Sequence, residues 1–214
     1  MYTLYYSPGA CSLAAHAVLE EIGVRYEAKD QSIRAGQTAT KEFLELNPKA
    51  RVPVFVDGDH IITECSAILT YLAEKHPQAG LIPEPGSIGK ARCLEWLSYL
   101  SSTIHPLYWG IWRPYRLSSD KRHHDEIYRT TENGLRDQYA FIDAHLAYGS
   151  YLLGDHLSIA DFYLFVFTRW AHRIGLPVAS WPNLNRFFET MAMRASVRRA
   201  LAKEGTQLQG ELVA

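Results

Sequence analysis

Cysteine is scarce in this chain, and neither sign of charge is in excess. Three cysteines occur among 214 residues, at positions 11, 65 and 93. An odd number at wide spacing argues against a disulfide scaffold and for a reducing cytoplasm. The formal net charge is −1, so no basic surplus points to nucleic acid or an anionic membrane as a partner.

Long apolar runs and clustered metal ligands are also missing. No apolar run approaches membrane-spanning length, and the start MYTLYYSPG lacks the basic and apolar regions of a signal peptide. No Cys/His grouping has zinc spacing, since His123 and His124 lie far from any cysteine in the sequence. With 47% hydrophobic residues, we expect a packed core, no metal and a cytoplasmic protein.

The first 23 residues predict a strand, a tight turn and a helix. The strand covers 2–6, the helix covers 12–22 with apolar residues at helical spacing, and Gly23 supplies the stop. Cys11 lies where the turn becomes the helix, a place that stabilises a reactive thiolate. Ser12 adds a hydroxyl that can cap the helix or donate to a neighbouring sulfur. The alternative is that Cys11 is a small buried apolar residue.

The rest of the pattern predicts two domains of different class. Further strands at 24–28, 52–56 and 60–63, with helices at 41–46 and 67–76, give a βαβ unit followed by ββα in one mixed four-stranded sheet. A segment rich in proline and glycine then forms a linker, and everything beyond it is helical. We therefore predict an α/β domain at 1–78, a linker at 79–88 and an all-α bundle at 89–214.

Two further stretches in the first domain could bind a ligand. Pro53 at a strand entry can be cis and expose Val52 as a peptide-docking edge, although a trans bond is far commoner. Glu64 and Cys65 begin a helix whose N–H groups favour an anion, and Glu64 suits an ammonium group; an ordinary helix cap is the alternative. Together with Cys11, these features suit a short peptide that bears a carboxylate, an amine and a thiol. Glutathione fits that description.

At this point a family resemblance covers nearly the whole chain. It rests on YYSPGACSLAAH, NPKARVPV, TECSAI and YLAE, then GDHLSIAD in the helical part. This pattern resembles the cytosolic glutathione S-transferases, and the ACS start with the His105 region most resembles the bacterial beta class. The resemblance implies a thioredoxin-like glutathione-binding domain, a helical domain with a hydrophobic substrate pocket, a homodimer, glutathione as co-substrate and a role in detoxification.

The resemblance also assigns roles to residues. Cys11 would contact the glutathione sulfur or form a mixed disulfide with it, Ser12 would be the adjacent hydroxyl, and His105 would line the site opposite Cys11. The implied catalytic residues are Cys11, Ser12 and His105. The implied glutathione contacts are Cys11, Val52, Pro53, Glu64, Cys65, Ser98, Ser102, Thr103, Ile104 and His105. Cys65 stands where serine is commoner, and Gly36 stands where a basic residue is expected, with Arg34 as a substitute.

The aromatic run at 108–115 is the most unusual part of the sequence. Because it follows His105, we predict that Tyr108, Trp109, Trp112 and Arg113 line the substrate pocket, with Arg113 free to meet an anionic group. Aromatic packing in the core is the alternative. We expect Phe167 and Trp170 to be core residues, and the capping box at 158–161 to be structural.

Three functions remain open from the sequence. The main hypothesis is a glutathione transferase that joins the glutathione thiolate to an apolar electrophile. Cys11 raises the possibility of glutathione-dependent thiol–disulfide exchange in the same fold. The alternative from another class is a non-catalytic carrier of hydrophobic ligands or an interaction module.

Overall fold

The computed structural model describes residues 1–208, and its first half contains the sheet. Strand β1 (Tyr2–Tyr6), helix α1 (Leu13–Ile22) and strand β2 (Tyr26–Asp30) form the predicted βαβ unit. The two strands run parallel, with Tyr2 opposite Tyr26. Gly23 ends α1 in the left-handed conformation (φ 77°), which a residue without a Cβ adopts easily.

A hairpin completes the sheet. Helix α2 (Lys41–Leu46) precedes strands β3 (Val54–Asp57) and β4 (His60–Thr63), which pair antiparallel, and helix α3 (Cys65–Lys75) follows. Strand β3 also pairs antiparallel with β1, so the order is β2-β1-β3-β4. The predicted mixed four-stranded sheet is thereby confirmed.

The second half is helical over the residues described. Helix α4 (Ile88–Tyr99) continues through a π-helical turn (Leu100–Ile104) into α5 (His105–Trp112). Four helices follow, namely α6 (His124–Leu146), α7 (Ile159–Arg173), α8 (Pro182–Met193) and α9 (Ala195–Lys203). The domain boundaries remain predictions, and residues 209–214 of the predicted second domain lie outside the described residues. No helix within 1–208 has the length and apolar character needed to cross a membrane.

Helix α7 forms the centre of the core. Every residue from Ile159 to Ala171 is buried, and the three polar side chains among them, Asp161, Thr168 and Arg169, are hydrogen-bonded. The Asp161 carboxylate fixes its start by accepting the Ser158 N–H at 2.7 Å and the Leu152 N–H at 2.8 Å. Because α7 packs against α1, the helical half directly supports the loop that carries Cys11.

Candidate active site

The loop between β1 and α1 is held from the opposite half of the molecule. Gly9 adopts φ 70°, its N–H donates to Glu204 Oε2 at 2.8 Å, and its carbonyl accepts Trp170 Nε1–H at 2.9 Å. The same Glu204 carboxylate accepts from His16 Nδ1 at 2.9 Å, and both side chains are fully buried. Burial raises the pKa of Glu204, while the hydrogen bonds from His16 and Gly9 oppose that rise. The backbone two residues before Cys11 is therefore fixed by α7 and the end of α9.

Ser12 closes the same loop. Its hydroxyl accepts the Ser7 N–H at 3.2 Å and donates to the Ser7 carbonyl at 3.3 Å, and the residue is fully buried. The sequence-based expectation that this hydroxyl caps α1 or reaches a sulfur differs from the structure, because the backbone of Ser7 already satisfies it. Ser12 shapes the loop rather than the surface of the site.

Cys11 lies at the meeting point of three segments. Its side chain is only 9% exposed, and its thiol donates to the Val52 carbonyl at 3.5 Å. Burial raises the pKa of Cys11 to about 12, outweighing the N–H groups of Cys11 and Ser12, which favour the thiolate. The expectation of a stabilised thiolate is therefore wrong for this structure. Burial destabilises the thiolate more than the N–H groups at the start of α1 stabilise it. Cys11 is a protonated hydrogen-bond donor at neutral pH.

The start of α3 approaches Cys11 from the other side. The Cys65 thiol donates to the Cys11 carbonyl at 3.5 Å, and Cys65 is the first residue of α3. Glu64 precedes it with φ 74°, which is unusual for a residue with a side chain, and its exposed carboxylate pairs with Lys49. The Val52–Pro53 bond is cis, as the resemblance implied. The predicted residues Cys11, Val52, Pro53, Glu64 and Cys65 thus lie together.

His105 comes directly after the π-helical turn. Its Nδ1 lies 3.3 Å from the Tyr163 hydroxyl, and its ring packs 5.4 Å from those of Phe167 and Trp170. Burial lowers the pKa of His105 to about 4, and the charges of Arg51 and Arg113 add to that effect. The imidazole is therefore neutral near pH 7. π-Helical turns are frequent at functional sites, and this one sets the direction from which His105 enters.

Tyr163 is a site residue that the sequence analysis missed. Burial, followed by the proximity of Cys65 and Cys11, raises the pKa of Tyr163 well above its usual value. Its hydroxyl thus connects the surroundings of the two thiols with His105. A signal was available, because Tyr163, Phe167 and Trp170 recur at helical spacing on one face of α7. Phe167 and Trp170 are buried as predicted, yet both also contact His105.

The predicted substrate-pocket residues separate into two groups. Tyr108 is fully buried, and its hydroxyl bonds to that of Tyr139 at 2.8 Å and to the Phe167 carbonyl at 2.9 Å. Its assignment to the pocket is corrected, because a satisfied side chain in the core cannot line a cleft. Trp109 and Arg113 are half-buried and Trp112 is 38% exposed, so these three remain available.

The predicted glutathione contacts on α4 and the π-helical turn differ in their exposure to solvent. Ser98 and Ser102 are exposed and Thr103 is half-buried, whereas Ile104 is fully buried. The Ile104 side chain therefore packs in the core rather than facing a ligand. No group of three or more His, Cys, Asp or Glu residues within 1–208 has the geometry to hold a metal ion.

Comparison with known proteins covers both halves of the chain. Family models described as the glutathione S-transferase N-terminal and C-terminal domains match residues 1–74 and 102–195. Glutathione S-transferase GST-4.5 of Xanthomonas campestris pv. campestris is 32% identical over 94% of this chain and 98% of that protein. The beta class glutathione S-transferase of Sphingomonas chungbukensis is 32% identical and has a TM-score of 0.84, covering 95% of this chain and 98% of its own. A sphingomonad glutathione S-transferase solved in complex with glutathione has the same identity and TM-score, covering 96% of this chain and 100% of its own.

Proposed function

Because the chain belongs to the glutathione S-transferase family and is a glutathione transferase, we propose that its cleft binds reduced glutathione with the sulfur beside Cys11. One observation carries this proposal: Cys11 bonds to two other segments, its thiol to the Val52 carbonyl and its own carbonyl to the Cys65 thiol at the start of α3. The sphingomonad relative named above is described as complexed with glutathione, which supports the same ligand here.

The chemistry of each segment matches one part of the tripeptide. Val52 offers its backbone to the cysteinyl residue, and the start of α3 offers the Cys65 N–H to a carboxylate. Glu64 offers a negative charge to the γ-glutamyl ammonium group, in exchange for its exposed pair with Lys49.

Cys11 acts in this proposal as a donor rather than as the nucleophile. A thiol that stays protonated at neutral pH can donate a hydrogen bond to a thiolate, and a hydrogen bond to the charged form lowers the pKa of the group that receives it. The thiol of glutathione is then the group that ionises, and its sulfur attacks an apolar electrophile. The new carbon–sulfur bond forms as the leaving group departs with its electron pair.

His105 and Tyr163 form the wall facing the acceptor. The neutral imidazole and the phenol are joined at 3.3 Å, and neither adds charge to the cleft at neutral pH. We assign them to positioning the acceptor against the sulfur, since holding two reactants together is a large part of such catalysis. Replacing His105 by Gln should therefore raise the KM for the acceptor more than the KM for glutathione.

Thiol–disulfide exchange through Cys11 is the second candidate. The observation that favours it is a second thiol, Cys65, in contact with the backbone of Cys11. In that reaction the Cys11 sulfur would attack a disulfide, take one glutathione as a mixed disulfide and release the other thiol. Burial of the Cys11 thiol slows this step, because only the thiolate attacks.

A pair of variants separates the two reactions. Cys11→Ala should lower conjugation of 1-chloro-2,4-dinitrobenzene by about tenfold, the loss of one hydrogen bond to a charged group, and Cys11→Ser should restore most of it. Cys93→Ala is the matched control, because Cys93 is a buried free cysteine on α4 away from the cleft. If both Cys11 variants abolish disulfide reduction and leave conjugation unchanged, Cys11 serves exchange alone and the donor role is refuted.

Calorimetry with reduced glutathione tests binding itself. Measurable association that is weakened by Glu64→Gln supports the site. No association, together with retention of an apolar dye, would favour the ligand carrier.

The assembly and the compartment are further parts of the proposal. We assign the chain to a homodimer, as the family resemblance implies, with Ser98 and Ser102 exposed on α4 and the π-helical turn where a second subunit can approach. The three free cysteines suit a reducing cytoplasm, where reduced glutathione is available. Sedimentation at micromolar concentration tests the dimer.

A further inference from the structure

Three arginines lie over two tryptophans close to His105, and a fourth arginine follows the second tryptophan in the sequence. Arg51 lies over the Trp109 ring at 4.8 Å from its centroid, and Arg116 lies 5.9 Å from the same ring. Arg173 lies 5.5 Å from the Trp112 ring. Arg113 directly follows Trp112 at the end of α5 and is half-buried. We name this group the arginine–tryptophan cluster, and its members are Arg51, Trp109, Trp112, Arg113, Arg116 and Arg173.

The four guanidinium groups lack acidic partners within residues 1–208. None of them forms a salt bridge or a side-chain hydrogen bond there, whereas Arg92, Arg122 and Arg136 each contact a carboxylate. Glu64 is the acidic residue that acts on His105, and Lys49 already pairs with it. The cluster therefore presents uncompensated positive charge at the cleft.

The geometry leaves the hydrogen-bonding edges of these arginines unused. A guanidinium held over an aromatic ring by its charge still has its N–H donors, arranged in a planar fork, for another partner. That fork matches the two oxygens of a carboxylate or sulfonate. Trp112, whose ring already packs against Tyr108 and Trp170, is 38% exposed and adds an apolar edge beside these donors.

The cluster is continuous with the proposed acceptor wall. The His105 ring lies 6.0 Å from Trp109 and 5.4 Å from Trp170, and Trp170 lies 4.9 Å from Trp112. An acceptor whose reactive carbon is held near His105 would therefore extend its far end toward the arginines.

Resting on the transferase function above, we propose that the arginine–tryptophan cluster is an anion subsite for the acceptor, and that the enzyme prefers aromatic electrophiles bearing a carboxylate or sulfonate. The anion takes no part in bond making. Glutathione sulfur attacks the ring carbon, the carbon–sulfur bond forms, and halide leaves with the bonding electrons. The arginines hold the acceptor by its unreactive end.

Two acceptors that share one ring test this subsite. The probes are 4-chloro-3,5-dinitrobenzoate and its methyl ester, which differ in charge. Each kcat/KM is divided by the rate constant of the uncatalysed reaction, which corrects for the different intrinsic reactivity of the two acceptors. The acid should exceed the ester by about tenfold after that correction, as expected for one charge-assisted hydrogen bond. Raising sodium chloride to roughly 0.5 M should shrink the difference, because salt screens charges at a solvent-open site.

Variants then assign the preference to the cluster. Arg113→Gln and Arg116→Gln should each lower the acid-to-ester ratio by about threefold, so that the two losses together account for the tenfold preference. Arg198→Gln is the matched control, because Arg198 is an exposed arginine on α9 without a salt bridge in the described chain. The control should keep the parental ratio, and circular dichroism of each variant checks that the fold is intact.

Three outcomes would overturn the inference while leaving the transferase function in place. In the first, the ester is conjugated as efficiently as the acid. In the second, the Arg113 and Arg116 variants leave the acid-to-ester ratio unchanged. In the third, these variants raise the KM for glutathione and leave the KM for the acceptor unchanged. The last would assign the arginines to a glutathione carboxylate. Failure of both acceptors together with absent glutathione binding would refute the transferase proposal itself.

Discussion

Removing the Glu204 carboxylate should damage both stability and the active site, although this residue lies 193 positions after Cys11 in the sequence. In Glu204→Ala, the Gly9 N–H and His16 Nδ1 lose their partner in a region closed to water. Each buried polar group left unpaired costs about 1–3 kcal/mol, and the vacated volume adds to that cost. We therefore expect a loss of about 3–5 kcal/mol from a total that is typically about 5–15 kcal/mol.

Glu204→Gln should be much milder. The amide oxygen can still accept from Gly9, and the amide N–H₂ can donate to His16 Nδ1 once the imidazole carries its proton on Nε2. His16 Nε2 is buried and has no partner in the described chain, so the tautomer change leaves one group unpaired there, as in the parent, but as an N–H donor instead of a lone pair. We expect a cost of about 1 kcal/mol for this variant, in the range of one hydrogen bond of altered strength.

Urea unfolding followed by tryptophan fluorescence measures both changes, and conjugation kinetics measure the effect on the site. Because Gly9 fixes the loop before Cys11, the alanine variant should also raise the KM for glutathione several-fold at a temperature where it remains folded. Equal stabilities for Glu204→Ala and Glu204→Gln, or an alanine variant within about 0.5 kcal/mol of the parent, would refute the reasoning, since neither fits two unpaired buried groups.

Three other predictions follow from the same structure. Gly9→Ala should cost about 1–2 kcal/mol and raise the KM for glutathione, because φ is 70° and a Cβ would lie 3.0 Å from Arg169 Nη1; unfolding and kinetics check this. Because burial lowers the pKa of His105 to about 4, its titration should leave the pH profile of kcat/KM flat between about pH 5.5 and 8. Its contribution to stability should fall as the pH drops from 6.5 towards 4, because only the unfolded chain binds the proton in that range. Unfolding of the parent and of His105→Gln at each pH checks the sign. Asp161→Ala should cost about 2–4 kcal/mol by leaving two buried N–H groups unpaired, whereas Asp161→Asn should cost less; a change below about 1 kcal/mol would contradict the capping role.

Local patterns were sufficient for much of the fold. Strand β1, helix α2 and strand β4 begin and end where the sequence predicted, because each has a strong local boundary such as the Asn47-Pro48 stop after α2. The sequence predicted only that the chain beyond the linker is helical, and the π-helical turn between α4 and α5 was not foreseen. Helical periodicity does not distinguish a π turn from an α turn over so few residues.

The electrostatics of the site could not be predicted in the same way. The start of α1 favours a thiolate at Cys11, and this was visible in the sequence. Burial of Cys11 beneath Val52, Cys65 and α7 outweighs this preference for the thiolate. These segments are brought to Cys11 only by tertiary packing. Likewise, Tyr163 looked like one more apolar position on α7, because its neighbour across the cleft is 58 residues away in the sequence.

The distribution of charge in the cleft separates the tasks of the two substrates. Near Cys11 the positive ends of α1 and α3 are backbone dipoles, whose effect fades within a turn and suits a ligand held close. Near Trp109 and Trp112 the positive charges are full guanidinium groups, whose effect extends about 8–10 Å through solvent at ordinary salt. Burial keeps His105 neutral, so in the proposed mechanism a glutathione thiolate beside Cys11 forms no ion pair with the imidazole. The proposal thus assigns the sulfur to the Cys11 region and the unreactive end of the acceptor to the arginines.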